Sequence, residues 1–287
     1  MAQDEAGAPN ADQRRYWNEK GGPTWVADEE MYDQELAPLG RIAIDRAKVT
    51  LGDQVLDVGC GMGQTSLELA GRVGSDGSVL AVDIASPMIE RARQRARHAG
   101  LENIQFQLAD AQTFAFQAAQ FDLLFSRFGV MFFDDPGAAF RNLLRALRSG
   151  GRLAFVCWRG AEDNEWVSVL FEALSRHVEV ERPPTAGPGP FGFADDRRVR
   201  SILEGAGFVD VEMERVDEKL SFGGTGTLDL IVHNIMRLTV VTRALDRAGV
   251  AASPEIAASI QAAVAPFETT QGIRLGSASW VVTARHP

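Results

Sequence analysis

Asp57, Asp83 and Asp110, together with Gly59, Gly61 and Gly63, are the residues of this chain best placed by type and spacing to bind a small polar ligand. Asp57 ends most of an apolar run, Val55-Leu56-Asp57-Val58, and the three glycines follow at alternate positions. Bare main chain at such a corner can turn sharply and leave room for a ligand against its amides. The spacing separates two kinds of ligand. A dinucleotide fingerprint, Gly-x-Gly-x-x-Gly, would put its third glycine at position 64, where this chain has Gln64. Asp57 also stands two residues before the first glycine, close to where a pyrophosphate would rest. A carboxylate there repels phosphate and attracts an ammonium group. S-adenosylmethionine (SAM) carries an α-ammonium and a sulfonium and no phosphate, so the corner reads as a SAM site rather than an NAD site.

The elements that must position these residues follow from the apolar pattern. Val55–Val58 reads as a short buried parallel strand, and Thr65–Val73 resumes with helical spacing through Leu67, Leu69, Ala70 and Val73. Further strands are expected at Ser78–Asp83, Ile104–Leu108, Phe121–Phe125 and Arg152–Trp158, with helices at Met88–Ala99 and Pro136–Leu147. Ser86-Pro87 opens the former helix and Gly100 closes it. Five strands alternating with helices predict a parallel α/β sheet with right-handed crossovers, whose ligands bind at the carboxyl ends of the strands.

Outside this core the pattern changes. Residues 1–13 are small and polar and read as disordered. Residues 14–48 read as a lid: a Tyr16–Trp25 loop with two Trp around Gly-Gly-Pro, then helices whose inner positions are Met31, Leu36, Leu39, Ile42, Ile44 and Ala47. After the core at 49–158, residues 159–207 form a cap segment with a Pro/Gly/Phe loop at Arg182–Phe193. Residues 208–287 supply two last strands, near Val209–Val216 and Ser277–Ala284, around a helical insert at Thr227–Thr269. No internal repeat or long linker divides the 287 residues, so a single integrated domain is expected.

Composition narrows the partners. A net charge of −10 opposes binding to nucleic acid or anionic membrane. The nearest approach to a basic cluster, Arg91, Arg93, Arg95 and Arg97, reads as the solvated side of a helix. Cys60 and Cys157 are too few for a disulfide framework or a zinc site, and packing is their expected role. The start of the chain lacks a signal-peptide core and no apolar stretch reaches spanning length, so a cytoplasmic protein is expected, with a homodimer left open.

With these residues in view, the chain resembles the class I SAM-dependent methyltransferases, in particular the small-molecule branch that includes the ubiquinone and menaquinone biosynthesis enzymes. The resemblance rests on Val55-Leu-Asp-Val-Gly-Cys-Gly-Met-Gly63, on the acid of Ala81-Val-Asp-Ile84, on Ala109-Asp-Ala111, and on Phe121-Asp-Leu-Leu-Phe-Ser126 followed by Gly150-Gly-Arg-Leu153. It covers Tyr16 to Trp158 in detail and the rest more loosely. It implies a Rossmann-like, doubly wound sheet of seven strands, the last antiparallel and paired as a hairpin with the sixth. In the implied site Asp57, acting through water, and the amides of Gly59, Cys60 and Gly61 hold the methionine end of SAM. Asp83 takes both ribose hydroxyls, a charge-assisted pair. Ile84 and Met88 sandwich the adenine, and Asp110, with Ala111 beside it, accepts the exocyclic amine. Ser126 and Arg127 offer backbone carbonyls to the ammonium, and Trp17 and Trp25 close over the methionine portion. The product is S-adenosylhomocysteine.

Methyl transfer is a displacement at an already activated carbon, so alignment and exclusion of water matter most and a base is optional. His177 and His233, in the cap helices, are the candidate bases; His98 and His286 lie beside a helix end and the terminus. Phe128, Met131, Phe132 and Trp158 on strand-tip loops, with Phe191 and Phe193 on the Pro/Gly loop, are expected to line an acceptor cavity. They suit a flat, largely apolar acceptor such as a phenol, a quinone or another natural product of secondary metabolism, methylated at O, N or C. The Asn/Asp-Pro-Pro-Tyr loop of nucleic-acid amino methylases is absent; Ser126-Arg127-Phe128-Gly129 stands in its place. The rival readings are a SAM-binding regulator without catalysis, an NAD(P) oxidoreductase opposed by Gln64 and Asp57, and aminopropyl transfer, which lacks its acidic pair after the fourth strand.

Overall fold

The computed structural model describes residues 7–287. One sheet organises them, with strands in the order β3-β2-β1-β4-β5-β8-β6. The first five strands are β1 (Gln54–Val58), β2 (Ser78–Asp83), β3 (Ile104–Leu108), β4 (Phe121–Arg127) and β5 (Leu147–Trp158), all parallel. Two long strands, β6 (Val209–Phe222) and β8 (Gly272–Arg285), pair antiparallel with each other, and β8 pairs antiparallel with β5. The two-residue β7 (Glu268–Thr269) turns back onto β8. The expected seven-stranded sheet with its antiparallel last strand is therefore borne out. The final strands run longer than their apolar cores suggested, because each pairs on past the sheet's body as a two-stranded ribbon.

The helices between strands are α4 (Gln64–Val73), α5 (Ser86–Ala99) and α6 (Pro136–Ala146). The β3–β4 crossover carries no helix; Asn142 of α6 holds it by donating to the carbonyls of Ala111 and Phe114 at 3.0 and 2.9 Å. Ahead of β1 lie α1 (Ala11–Tyr16), α2 (Gly22–Ala27) and α3 (Glu29–Arg46). Beyond β5 come α7 (Glu165–Leu174) and α8 (Asp196–Ala206), and between β6 and β7 the insert folds as α9 (Leu228–Ile235), α10 (Thr239–Ala248) and α11 (Pro254–Val264). Among the described residues no helix is long and apolar enough to cross a membrane.

Two expectations for the amino-terminal segment need correction. Residues 1–6 of the expected disordered start lie outside the described residues, but Asn10 is buried and Ala11–Tyr16 is helical. The Tyr16–Trp25 loop is instead continuous helix: a π turn at Trp17–Gly21 leads into α2, with Pro23 in its first turn. The glycines permit this by their lack of a side chain. A Cβ on Gly21 would stand 2.7–2.8 Å from the rings of Tyr16 and Trp17, and one on Gly22 would meet the Trp17 carbonyl at 2.2 Å.

The arginines of α5 are likewise more than a solvated face. Arg91 pairs with Glu29 at 2.5 Å and Arg95 with Asp33 at 2.7 Å, which ties α5 to α3 across the mouth of the sheet. Cys60 and Cys157 are free and buried, in keeping with a packing role.

The glycine corner after β1 is held by three different contacts. Gly59, Gly61 and Gly63 all have positive φ (69°, 55° and 82°). A Cβ on Gly59 would come within 2.7 Å of Gly129 Cα, so the loops after β1 and β4 touch through backbone alone. A Cβ on Gly63 would press on Phe106 and Ala92 at 3.1–3.2 Å, whereas Gly61 has only Met88 Sδ nearby, at 3.7 Å. Gly59→Ala should therefore destabilise the fold by about 2–4 kcal/mol, combining left-handed strain with overpacking. The urea midpoint followed by circular dichroism measures it, and a change under about 0.5 kcal/mol, the surface-substitution range, would contradict this packing.

Candidate functional site

The carboxyl ends of β1, β2, β4 and β5 open into a single cleft. It lies where the chain leaves β1 with β2 on one side and β4 on the other, the topological switch point of the sheet. Gly59, Cys60 and Gly61 form part of its floor, Asp83, Ile84 and Met88 one wall, and Asp110 and Ala111 the far end. Arg127 and Phe128 enter from the end of β4, and Trp17 and Trp25 from the amino-terminal helices.

Asp83 is fixed by backbone. The Gly61 N–H donates to Oδ2 and the Ala85 N–H to Oδ1, both at 2.8 Å. Burial pushes its carboxyl above the usual range, and these amide bonds draw it back. An ionised carboxylate has about four acceptor positions, so Asp83 can still receive two hydroxyls.

Asp57 sits one layer below the cleft, fully buried. Its Oδ2 accepts from Ser66 Oγ at 2.6 Å and Thr65 Oγ at 3.1 Å, while its Oδ1 has no partner. Burial raises its pKa to about 6; the two hydroxyls, then Arg127, pull it down. Arg127 is the cationic counterpart. Its guanidinium donates to Gln64 Oε1, and Gln64 in turn donates to the Asp33 carbonyl at 3.0 Å. Gly40 of α3 makes room for it, since a Cβ there would stand 3.1 Å from Arg127 Cδ.

Asp110 is already engaged. Asn10 Nδ2 donates to both of its oxygens at 2.9 and 3.0 Å, and the Gln112 N–H donates at 2.9 Å. Asn10 also exchanges bonds with Asp134, so the amino-terminal arm is pinned to the strand tips. Trp17 meets Trp25 edge-on at 5.8 Å and Phe132 at 5.5 Å, and Trp25 stacks on Tyr32 at 4.1 Å.

Not every expected residue reaches the cleft. Ser126, expected to act through its backbone carbonyl, is not among the lining residues, and its side chain donates to the Val58 carbonyl at 2.7 Å and accepts from the Gly129 N–H. His177 and His233 are both exposed and lie away from the cleft, with His177 Nε2 2.6 Å from Ser259 Oγ. His233 sits on the outer side of α9, whose Ile231, Val232 and Ile235 pack inward, and His177 lies in the turn beyond the end of α7. Phe193 is drawn into the core between Phe140 and Phe155, and Phe191 is buried behind Trp166; Pro190 lines the cleft instead. Phe128, Met131, Phe132 and Trp158 do line it.

Several lining residues were missed in the sequence: Asn10, Tyr32, Glu35, Gln64, Leu238 and Arg243. Glu35 left a signal, an acid spaced four residues from both Met31 and Leu39 on the inner face of α3. Leu238 and Arg243 left none, because only the folding of the insert over the amino-terminal helices brings them there; Arg243 rests 4.2 Å above the Tyr16 ring.

The donor set suits SAM. The buried guanidinium of Arg127 matches the carboxylate of an amino-acid group and Asp83 matches a ribose diol, while the unpartnered Asp57 oxygen beneath the floor adds negative charge that favours an ammonium. Two outcomes follow. Asp83→Ala should weaken SAM binding by roughly 2–4 kcal/mol and Asp83→Asn by less, measured by titration calorimetry; unchanged affinity in a folded variant would refute the role. For Asp57 the folded pKa, about 6, lies above the ordinary carboxyl value of 3.8. Its contribution to stability is full below pH 3.8 and is lost as pH rises through 6. Asp57→Asn should thus be more stable than the natural chain at pH 7.5, by up to about 3 kcal/mol, with the gap closing near pH 4. Unfolding curves at the two pH values test the sign.

Comparison with known proteins agrees with this geometry. Residues 55–151 match the family model described as a methyltransferase domain. Aklanonic acid methyltransferase DauC of Streptomyces sp. (strain C5) is 42% identical over 179 residues, 60% of this chain and 81% of the relative. Nocamycin O-methyltransferase of Saccharothrix syringae is 31% identical over 194 residues, 64% of this chain and 69% of the relative. Among solved structures, phosphoethanolamine N-methyltransferase 2 of Haemonchus contortus in complex with S-adenosyl-L-methionine superposes with a TM-score of 0.61 at 14% identity, covering 96% of this chain and 60% of that one. This chain belongs to the class I SAM-dependent methyltransferases.

Proposed function

We propose that the enzyme transfers the SAM methyl group to an oxygen of a small, largely apolar acceptor. The observation that carries this reading is the chemical split of the cleft. Its β1–β2 end presents carboxylates, amides and a guanidinium, whereas its β5 end is aromatic. Trp158 stacks on Phe128 at 4.2 Å and leans on Trp166 at 5.7 Å, and Trp166 stacks on Phe222 at 5.2 Å. Such a wall receives flat apolar surface and places few polar groups to orient it. The choice of oxygen draws on the relatives, one named an O-methyltransferase and the other for an acid.

SAM supplies an electrophilic methyl when bound. The chain's own part is to hold the two reactants and exclude water. Asp83 would take the ribose hydroxyls, Ile84 and Met88 the adenine faces, and Arg127 with Asp57 the amino-acid end. Trp17, Trp25 and Phe132 would roof the junction. The aromatic wall would fix the acceptor plane, and proximity alone then lowers the barrier substantially.

Trp158→Ala should lower kcat/KM for the acceptor by roughly tenfold or more while leaving SAM affinity nearly unchanged. Because removing a buried Trp costs about 3–5 kcal/mol of stability, Trp158→Phe serves as the milder companion, with a smaller loss. A panel of phenols, hydroxyquinolines and quinols with labelled SAM tests the class. Label appearing only on protein or nucleic acid would overturn the reading.

A further inference from the structure

Glu35 is the buried acid that the cofactor does not need. It is 6% exposed, lines the cleft from α3, and its Oε2 has no hydrogen-bond partner. Helical spacing sets its direction. Gly40 marks the side of α3 that abuts Arg127, and Met31 the side that abuts Gly224, just past β6, where a Cβ would lie 3.6 Å from Met31 Cγ. Glu35 lies one turn after Met31 and therefore shares that side, the side of α3 nearest the end of β6. Tyr32, three residues earlier, also lines the cleft, and its hydroxyl is likewise buried without a partner.

Two unsatisfied buried polar groups lining the cleft carry a penalty of about 1–3 kcal/mol each unless a ligand pairs with them. Their chemistry is complementary. Burial, and then Glu35 itself, push the Tyr32 hydroxyl upward, so it stays protonated and donates. Burial alone lifts Glu35 to about 8, within the range of a working base. The ionisable groups that act on Tyr32 are Glu35, Asp28 (paired with Arg237 at 3.1 Å), Tyr16 and Arg237, and Asp33, Arg127 and Arg243 of α10 also line the cleft.

We propose that Glu35 is the general base that takes the proton from the acceptor's hydroxyl, with Tyr32 donating to a neighbouring carbonyl oxygen, so that the preferred acceptor is an aromatic or enolic hydroxyl beside a carbonyl. This rests on the reading of the cleft as a small-molecule site. The step balances. The O–H bond breaks and its proton goes to the Glu35 carboxylate. The freed electron pair forms the oxygen–methyl bond, the carbon–sulfur pair returns to sulfur, and the proton leaves to water.

The test compares the natural chain with Glu35→Gln and Glu35→Asp, using hydroxyquinolines and hydroxyaryl ketones of graded acidity. For an acceptor with pKa near 10, Glu35→Gln should lower kcat by roughly 10²–10⁴-fold and remove the limb of kcat/KM that rises toward pH 8. Glu35→Asp should recover part of the rate. For an acceptor already ionised at the assay pH, all three should agree within a few-fold. A readout independent of turnover is the absorption spectrum of a hydroxyquinoline bound to the S-adenosylhomocysteine complex: its ionisation should be promoted by the natural chain and not by Glu35→Gln. Equal losses on ionised and neutral acceptors, or identical bound spectra, would overturn the base. Failure of the natural chain to bind or methylate any of these molecules would instead overturn the small-molecule reading, and the base with it.

Discussion

The contact between Gly59 and Gly129 is the constraint from which the cleft follows. Two neighbouring parallel strands end, and the loops that leave them touch backbone to backbone. No side chain fits between them, so β1 must turn away through left-handed residues and enter α4 at a fixed angle. That angle presents Gly61 to open space and sends its N–H to Asp83 on the next strand. The floor of the site is thus a property of the sheet's edge, made rigid because both contacting loops are anchored in buried strands.

Charge burial is arranged around that floor in layers. Asp57 lies beneath it, satisfied on one oxygen by Ser66 and Thr65 and left open on the other. Arg127 lies beside it under α3, bonded to a neutral amide rather than to a carboxylate. Each group is left with unspent electrostatic capacity, which in a low-dielectric site is worth more than the same groups in water. Binding a zwitterion would relieve both at once. The aromatic half of the cleft has the opposite character, and Glu35 and Tyr32 add unpaired polar groups to the lining.

The roof is assembled from segments far apart in the chain. Asn10 pins the arm to Asp110 and Asp134, the Trp17–Trp25–Tyr32 cluster spans the opening, and α10 closes over Tyr16 through Arg243. Ion pairs between α3 and α5 keep the roof's main helix seated over the strand tips. These pairs are partly exposed and contribute little stability individually; their value is in fixing where α3 lies, and so where Glu35 lies.

By itself the sequence determined the strand–turn–helix order, the glycine corner with its acids, and the exclusion of a dinucleotide fingerprint. Those features are local: a strand period, a turn that only glycine can make, and an acid at a strand's end are each written within about ten residues. It also determined which strand-tip aromatics, Phe128, Phe132 and Trp158, would meet the cleft, since strand ends and ligand sites coincide in this architecture. Only tertiary structure decided which of the remaining polar and aromatic residues face inward. Phe191 and Phe193 share a loop and a composition with true lining residues, yet the packing of Phe140, Phe155 and Trp166 claims them for the core. His177 and His233 look like bases in the chain and lie at the surface in the fold, while Asn10, in a stretch that composition marks as unstructured, is buried among acids. The reason is physical: burial of a side chain is settled by contacts between segments a hundred residues apart, and no local pattern encodes their sum.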